Sequence, residues 1–277
     1  GIVITLTVVP SANSHVLNRE SSMVKGSVSK VLHNSRLLKL NFGIMCLHIL
    51  LMSSFVALPQ MMANAGLAPA QHWVVYLVTM LVSFAAVVPF IIYAEMKRRM
   101  KQVFMGCVAV LFIAEVVLWF AGQDLWIIIA GVQLFFIAFN VMEAILPSLI
   151  SKESPAGYKG TAMGIYSTSQ FIGVAIGGSL GGWIFGLEGA DMVFAAGAII
   201  ALVWFAVSVT MQEPPYVSSL RITLSESAVK NTTLEERLKA QPGVTEAVVV
   251  TAERSAYVKV DIKQTNRNQL EQLINAA

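Results

Sequence analysis

The chain has 277 residues, of which 56% are hydrophobic and 13% charged, with a mean hydropathy of +0.69. Soluble domains carry roughly 25% charged residues, so about half the usual charge is missing. That excludes a disordered chain, and two cysteines, Cys46 and Cys107, make no disulfide framework. The formal charge of +3 is too small to mark a nucleic-acid partner, so the placement of the charges matters more than their sum.

In chain order, residues 1–10 (GIVITLTVVP) are apolar but too few to cross a bilayer, and they lack the initiator Met and basic start of a signal peptide. They read as the last turns of a preceding helix, so the chain reads as part of a longer protein. Residues 11–37, with Arg19, Lys25, Lys30 and Arg36 against Glu20 alone, read as a basic linker. Six runs of about 20 apolar residues follow, near 38–59, 73–94, 103–121, 125–148, 162–186 and 190–211. They predict an all-α transmembrane six-helix bundle over 38–212. Residues 213–219 read as a second linker. Residues 220–277 hold eight basic and seven acidic residues, a normal density for a water-exposed domain.

The connections between the apolar runs alternate in charge. Residues 61–72 contain no Lys or Arg, whereas 95–101 reads EMKRRMK and 152–159 holds Lys152 and Lys159. All 11 basic residues outside the tail fall on one side of this alternation. By the positive-inside rule that side is cytoplasmic, which predicts a multi-pass inner-membrane protein with a cytoplasmic C-terminal domain.

Several spans carry more than anchoring residues. In the fourth, Gln133, Asn140, Glu143 and Pro147 recur at spacings of seven, three and four, which places them on one helical face. A carboxyl at membrane depth is expensive, so Glu143 is either a proton-coupling group or a hydrogen-bonding tie between helices. Pro147 marks either a bend or a helix end. In the fifth span Gly173, Gly177 and Gly181 form a small-residue stripe suited to close helix packing. Tyr166 and Gln170 continue that stripe as candidates to line a path. His48, midway along the first span, is a second proton-coupling candidate. Glu115, about six residues from the outer end of the third span, reads as reaching toward the interface. No Walker lysine loop, nucleophile elbow, CxxC or metal-ligand spacing occurs, so neither an enzyme, nor a catalytic residue, nor a metal or organic cofactor is expected.

The tail alternates as strands at 220–224, 244–251 and 255–262, with helical patterns at 232–241 and 266–276. This βαββα order predicts a small α+β, ferredoxin-like domain. An exposed edge strand there would offer contact to a second copy or another protein.

The loop EMKRRMK and the stretches LNFGIMCLHILLMSSFVALP, FNVMEAILPSLISKESPAGYKGTAMGIYSTSQ and EPPYVSSLRI together resemble the major facilitator superfamily (MFS). More narrowly, they resemble its drug-efflux branch with a C-terminal ferredoxin-like (YAM) domain. The resemblance covers essentially the whole chain. It implies the C-terminal half of a twelve-helix transporter, whose partner is an N-terminal six-helix half and whose solvent is the lipid bilayer. It also implies that His48, Asn140, Glu143 and Gln170 face a central cavity and that Glu115 does not. Glu95, Arg98 and Arg99 match the degenerate copy of the family's loop motif, implying a charge network at a cytoplasmic gate. Because the motif's glycines are absent here, its tight turn is not implied.

Two functional readings follow. The first is a secondary transporter, a proton-coupled antiporter exporting small, partly apolar molecules and drugs, with the proton gradient as its energy source. In it Glu143 and His48 handle protons while Gln133, Asn140, Tyr166 and Gln170 touch substrate. The alternative is a membrane-embedded ligand sensor that signals through the cytoplasmic domain.

Overall fold

A computed structural model describes residues 7, 22–24 and 26–275, and at Lys230 and Asn275 only the backbone. The reading of residues 1–10 as a helix end, and most of the linker reading for residues 11–21, fall outside the described residues. Part of that linker is ordered as helix α1 (Val28–Leu32), and α2 begins at Ser35. Ser27, just before α1, bonds Thr161 through the two hydroxyls at 2.9 Å.

Six of the described helices are long and apolar enough to cross a membrane. They are α2 (Ser35–Asn64), α3 (His72–Met96, preceded by a 3-10 turn at Pro69–Gln71), α4 (Met100–Phe120), α5 (Leu125–Glu153), α6 (Lys159–Glu188) and α7 (Ala190–Val209). Each matches an apolar run. Most extend past it, because a 30-residue helix is about 45 Å long and overshoots a hydrocarbon core of about 30 Å. Local chemistry sets two of the starts. The Asn34 side chain accepts from Arg36 N (3.0 Å) and Leu37 N (3.4 Å) at the head of α2. Asp124 caps α5 in the same way, from Trp126 N (2.9 Å) and Ile127 N (3.2 Å). These acceptors satisfy backbone donors that a helix cannot satisfy itself. Pro147 lies inside α5, which continues to Glu153, so it is not a helix-end proline.

The bundle core holds Phe104, Phe135, Phe136, Phe194 and Trp204, all essentially inaccessible. Trp204 meets Phe104 edge-on (6.0 Å, 87°) and lies against Gly43 of α2. Around it, Trp73, Leu77, Leu81, Phe84 and Ile92 of α3 are exposed, an apolar exterior suited to hydrocarbon or to another helical layer.

The tightest seam joins α6 to α2. A Cβ on Gly177 would stand 2.6 Å from Ile49 O, one on Gly181 would stand 2.8 Å from the Ser53 Cα, and one on Gly173 would collide with Met45 O. Three successive turns of α6 therefore rest on three successive turns of α2 backbone. Gly178 and Gly182, one position along, meet nothing.

Glu115 departs from its reading. It is 1% exposed, wedged against Gly197 of α7 and near Ser54 of α2, and does not reach the interface. The bare backbone of Gly197 and the Ser54 side chain, on two other helices, close over it, and no periodicity in its own segment signals that.

The C-terminal domain has β1 (Ser218–Thr223), α8 (Glu226–Lys230), α9 (Leu234–Lys239), β2 (Val244–Val250), β3 (Ser255–Val260) and α10 (Arg267–Asn275). The sheet order is β1-β3-β2, with β3 antiparallel to both neighbours. β1 and β2 are thus parallel across a central strand, the split βαβ arrangement. β1 starts two residues before the expected boundary. The helix expected over 232–241 is shorter, Leu234–Lys239, and an unexpected one, Glu226–Lys230, precedes it; Asn231 separates the two by accepting from Thr233 N (3.0 Å) and Thr233 Oγ1 (2.8 Å). Ala247, Ala256, Val258 and Val260 pack on Leu234, Leu238, Leu270 and Ile274 to form this domain's core.

Gly177→Ala should destabilise the protein by about 1–3 kcal/mol through overpacking, whereas Gly178→Ala should leave it unchanged or slightly more stable. Thermal unfolding in detergent checks this, and equal melting points for the two variants would count against the seam.

Candidate functional site

Three predicted residues converge at the seam. His48 Nε2 lies 2.9 Å from the Gln170 amide nitrogen and 3.5 Å from Glu143 Oε1. His48 Nδ1 is 3.2 Å from Ile44 O, the carbonyl four residues back. In the neutral imidazole, Nδ1–H donates to Ile44 and Nε2 accepts from Gln170. In the charged imidazolium both nitrogens donate, and Nε2–H has the Glu143 carboxylate as its ionic partner. One nitrogen thus has a neutral partner and an anionic one. The His48 side chain is 8% exposed and that of Glu143 32%, so the carboxyl is the member of the pair open to an approaching ligand or water. The Phe139 ring meets the imidazole edge-on at 5.8 Å and walls one side. Tyr166, buried one turn before Gln170 on α6, lies within electrostatic reach of Glu143.

The other two cavity candidates do not join this cluster. Gln133 donates to Thr79 O (3.2 Å) and Ser83 Oγ (3.1 Å), tying α5 to α3. Asn140 donates back to Phe136 O (2.9 Å) and to Met80 Sδ (3.6 Å). The polar face of α5 therefore divides, its earlier residues turning to α3 and Glu143 to α2 and α6. Thr79 and Ser83, the polar positions in an otherwise apolar run, were the available signal for that contact.

At the charged end of the bundle the three gate candidates take separate partners. Glu95 accepts both of its short contacts, 2.6 and 2.8 Å, from Lys152 Nζ on α5. Arg98 instead reaches Asp261, just past β3, at 2.6 Å. Arg99 bonds Gln102 at 3.2 Å. Arg98 occupies the left-handed region (φ 52°), so the tight turn forms without a glycine.

Around this turn the C-terminal domain is seated on the bundle. Tyr216, in the segment expected to be a plain linker, accepts from Met100 N and donates to Glu213, both at 2.9 Å. Its ring carries Arg98 and Lys152 at 5.4 and 5.3 Å, and partial burial pushes its hydroxyl up to about 12. Lys259 donates to Lys152 O at 2.5 Å, and Ala156 N donates to Glu246 Oε2 at 2.8 Å. Tyr257, inaccessible on β3, packs with Ala156. With one face of β3 on the domain's own helices and the other against the bundle, all six of its residues are buried. Helix periodicity and strand alternation carry no trace of this contact.

Residues 220–276 match the family described as the YajR YAM domain. The whole chain is 63% identical to the inner membrane transport protein YajR of Escherichia coli (strain K12), covering 61% of that protein. The chain belongs to the YajR family of the major facilitator superfamily. It is also 32% identical over 179 residues (64% of this chain, 45% of the relative) to an uncharacterized transporter of Buchnera aphidicola subsp. Acyrthosiphon pisum (strain APS). A third relative, an uncharacterized transporter of Buchnera aphidicola subsp. Baizongia pistaciae (strain Bp), is 33% identical over 183 residues (65% of this chain, 46% of the relative). The chain spans less than two thirds of the length of each.

In this YajR-family chain the YAM contact is a set of modest bonds. A partly exposed ion pair contributes about 0–1 kcal/mol, so Arg98–Asp261 cannot seat the domain alone. Removing it by Arg98→Ala should raise the rate of limited proteolysis across residues 211–217 several-fold. Adding Glu246→Ala should raise it further, and Arg98→Asp with Asp261→Arg should restore protection. The Arg98 guanidinium, with help from Lys263 N, holds the Asp261 carboxyl below its ordinary value. A depressed carboxyl stabilises the docked state above its free value, about 3.9, and loses that contribution as the pH falls through the depressed one. Protection should be constant from about pH 8 to 5 and fall only below about pH 4.

Proposed function

We propose that the complete protein is a secondary active transporter of the inner membrane. In this reading it moves small, partly apolar molecules and drugs outward against proton entry, by rocking this six-helix unit against a second one around a midplane site. The observation that carries it is His48 Nε2 standing between Gln170 and Glu143. Proton arrival from the open side converts the Glu143 carboxylate and the neutral His48 held by Gln170 into a singly protonated pair, and a second proton gives protonated Glu143 beside imidazolium. That changes what the exposed carboxyl offers to a substrate. Tyr166, beside this pair, contributes an aromatic wall with a polar tip, suited to partly apolar ligands. Gln133 and Asn140 serve helix packing. The proton gradient is the energy source, and no bound cofactor takes part.

The charge pattern supports an orientation with the 97–101 and 152–159 loops inside. The YAM domain, bonded to residues of both loop regions, is then cytoplasmic. A ligand sensor is the second reading, favoured by those same bonds from domain to bundle.

Proton flux in liposomes reconstituted with the full-length protein tests the assignment. Glu143→Gln should cut substrate-dependent proton movement by roughly tenfold or more, equivalent to about 1.4 kcal/mol. His48→Gln should also reduce it, and Gln133→Ala should leave it near wild type. Undiminished flux in Glu143→Gln would refute the proton role, and ligand binding with no flux in the wild type would select the sensor.

A further inference from the structure

At the charged end of the bundle a crevice opens between the first turns of α2 and α4, the last turns of α5 and the segment that follows α7. Arg36, Lys39 and Lys101 line it above a floor that includes the buried Leu40 and Phe104. One carboxylate, Glu153, stands among the three cations, 3.3 Å from Arg36. Lys39 and Lys101 donate to backbone carbonyls, Thr210 O at 2.9 Å and Val209 O at 3.3 Å. Those carbonyls terminate α7, whose negative dipole end offsets about half a unit charge. The crevice therefore keeps a positive excess of more than one charge. Each ammonium has three donors and spends one on its carbonyl, so both keep donors for an incoming anion.

The surface beside the mouth decides what kind of anion fits. Leu38, next to Lys39, and Val209, which holds Lys101, are exposed apolar residues, 44% and 49% accessible. The basic mouth runs directly onto the apolar exterior of α2 and α7. A soluble phosphate would use the cations and leave those side chains idle. A zwitterionic headgroup would bring a cation of its own into an already positive site. A phosphate headgroup with acyl chains and no compensating cation matches both parts.

We propose that the Arg36–Lys39–Lys101 crevice binds the phosphate headgroup of an anionic phospholipid, with the acyl chains lying along Leu38 and Val209. This rests on the membrane placement of the bundle and not on transport, so a failed flux assay would leave it standing.

Native mass spectrometry of the full-length detergent-solubilised protein, titrated separately with phosphatidylglycerol, cardiolipin, phosphatidylcholine and inorganic phosphate, tests it. The wild type should retain the two anionic lipids about tenfold better than phosphatidylcholine. Lys39→Gln with Lys101→Gln should lose that preference by roughly tenfold or more, while Lys159→Gln, a cation lost outside the crevice, should keep it. Where the double variant fails to fold, Lys101→Gln alone should show a several-fold loss. Equal retention of phosphatidylcholine, or no loss in the lysine variants, overturns the proposal. Retention of inorganic phosphate with no anionic-lipid preference reassigns the crevice to a soluble anion and overturns the lipid assignment.

Discussion

The close approach of α6 to α2 is the constraint on which the candidate site depends. Without side chains at 173, 177 and 181, the two backbones touch along three turns. His48 lies between the Met45 and Ile49 contacts, and Gln170 one turn before Gly173. The 2.9 Å contact between the two is therefore fixed by the seam. Within a membrane there is little hydrophobic drive to bring helices together, so small residues and polar ties must do it. The polar cluster is held rigid by groups that themselves take no part in its chemistry.

The second organising element is the C-terminal domain. A three-stranded sheet with helices on one face would leave its other face to water. Here Tyr257 and Lys259 of β3 are buried on that face, and the bundle loops supply the cover. Arg98 shows how closely the parts depend on each other. A non-glycine residue in the left-handed region costs about 1–2 kcal/mol. The bond to Asp261 and the stacking on Tyr216 offset that cost in the docked arrangement.

How much of this was legible in the sequence divides along a physical line. Features set by neighbours in the chain could be read: six apolar runs, the glycine stripe, the strand alternation of the tail and the basic loops. Features set by distant segments could not. Glu115 looked peripheral because nothing near it in the chain announces Gly197 or Ser54. Gln133 and Glu143 share a helical face, yet different helices claim them. Tyr216 sat in an apparent linker, and Arg98 belonged to an apparent gate, while their partners lie at Met100 and Asp261. His48, Glu143 and Gln170 were each visible as polar residues at membrane depth, but only the fold makes them one site.

The sheet of the YAM domain has one geometric property beyond its bonding. Asp261 and Lys259 grip the α3–α4 turn and the end of α5, while Glu246 holds the start of the loop before α6. Lys259 and Glu246 lie on two hydrogen-bonded strands of fixed spacing and Asp261 directly follows one of them, so while seated the domain acts as a ruler between the two loops. The ends of α3 to α6 at those loops then keep a constant separation and travel as one body. With α2 held to α6 along the glycine seam, any flexing among these helices must fall on α7, or wait until the ruler lifts.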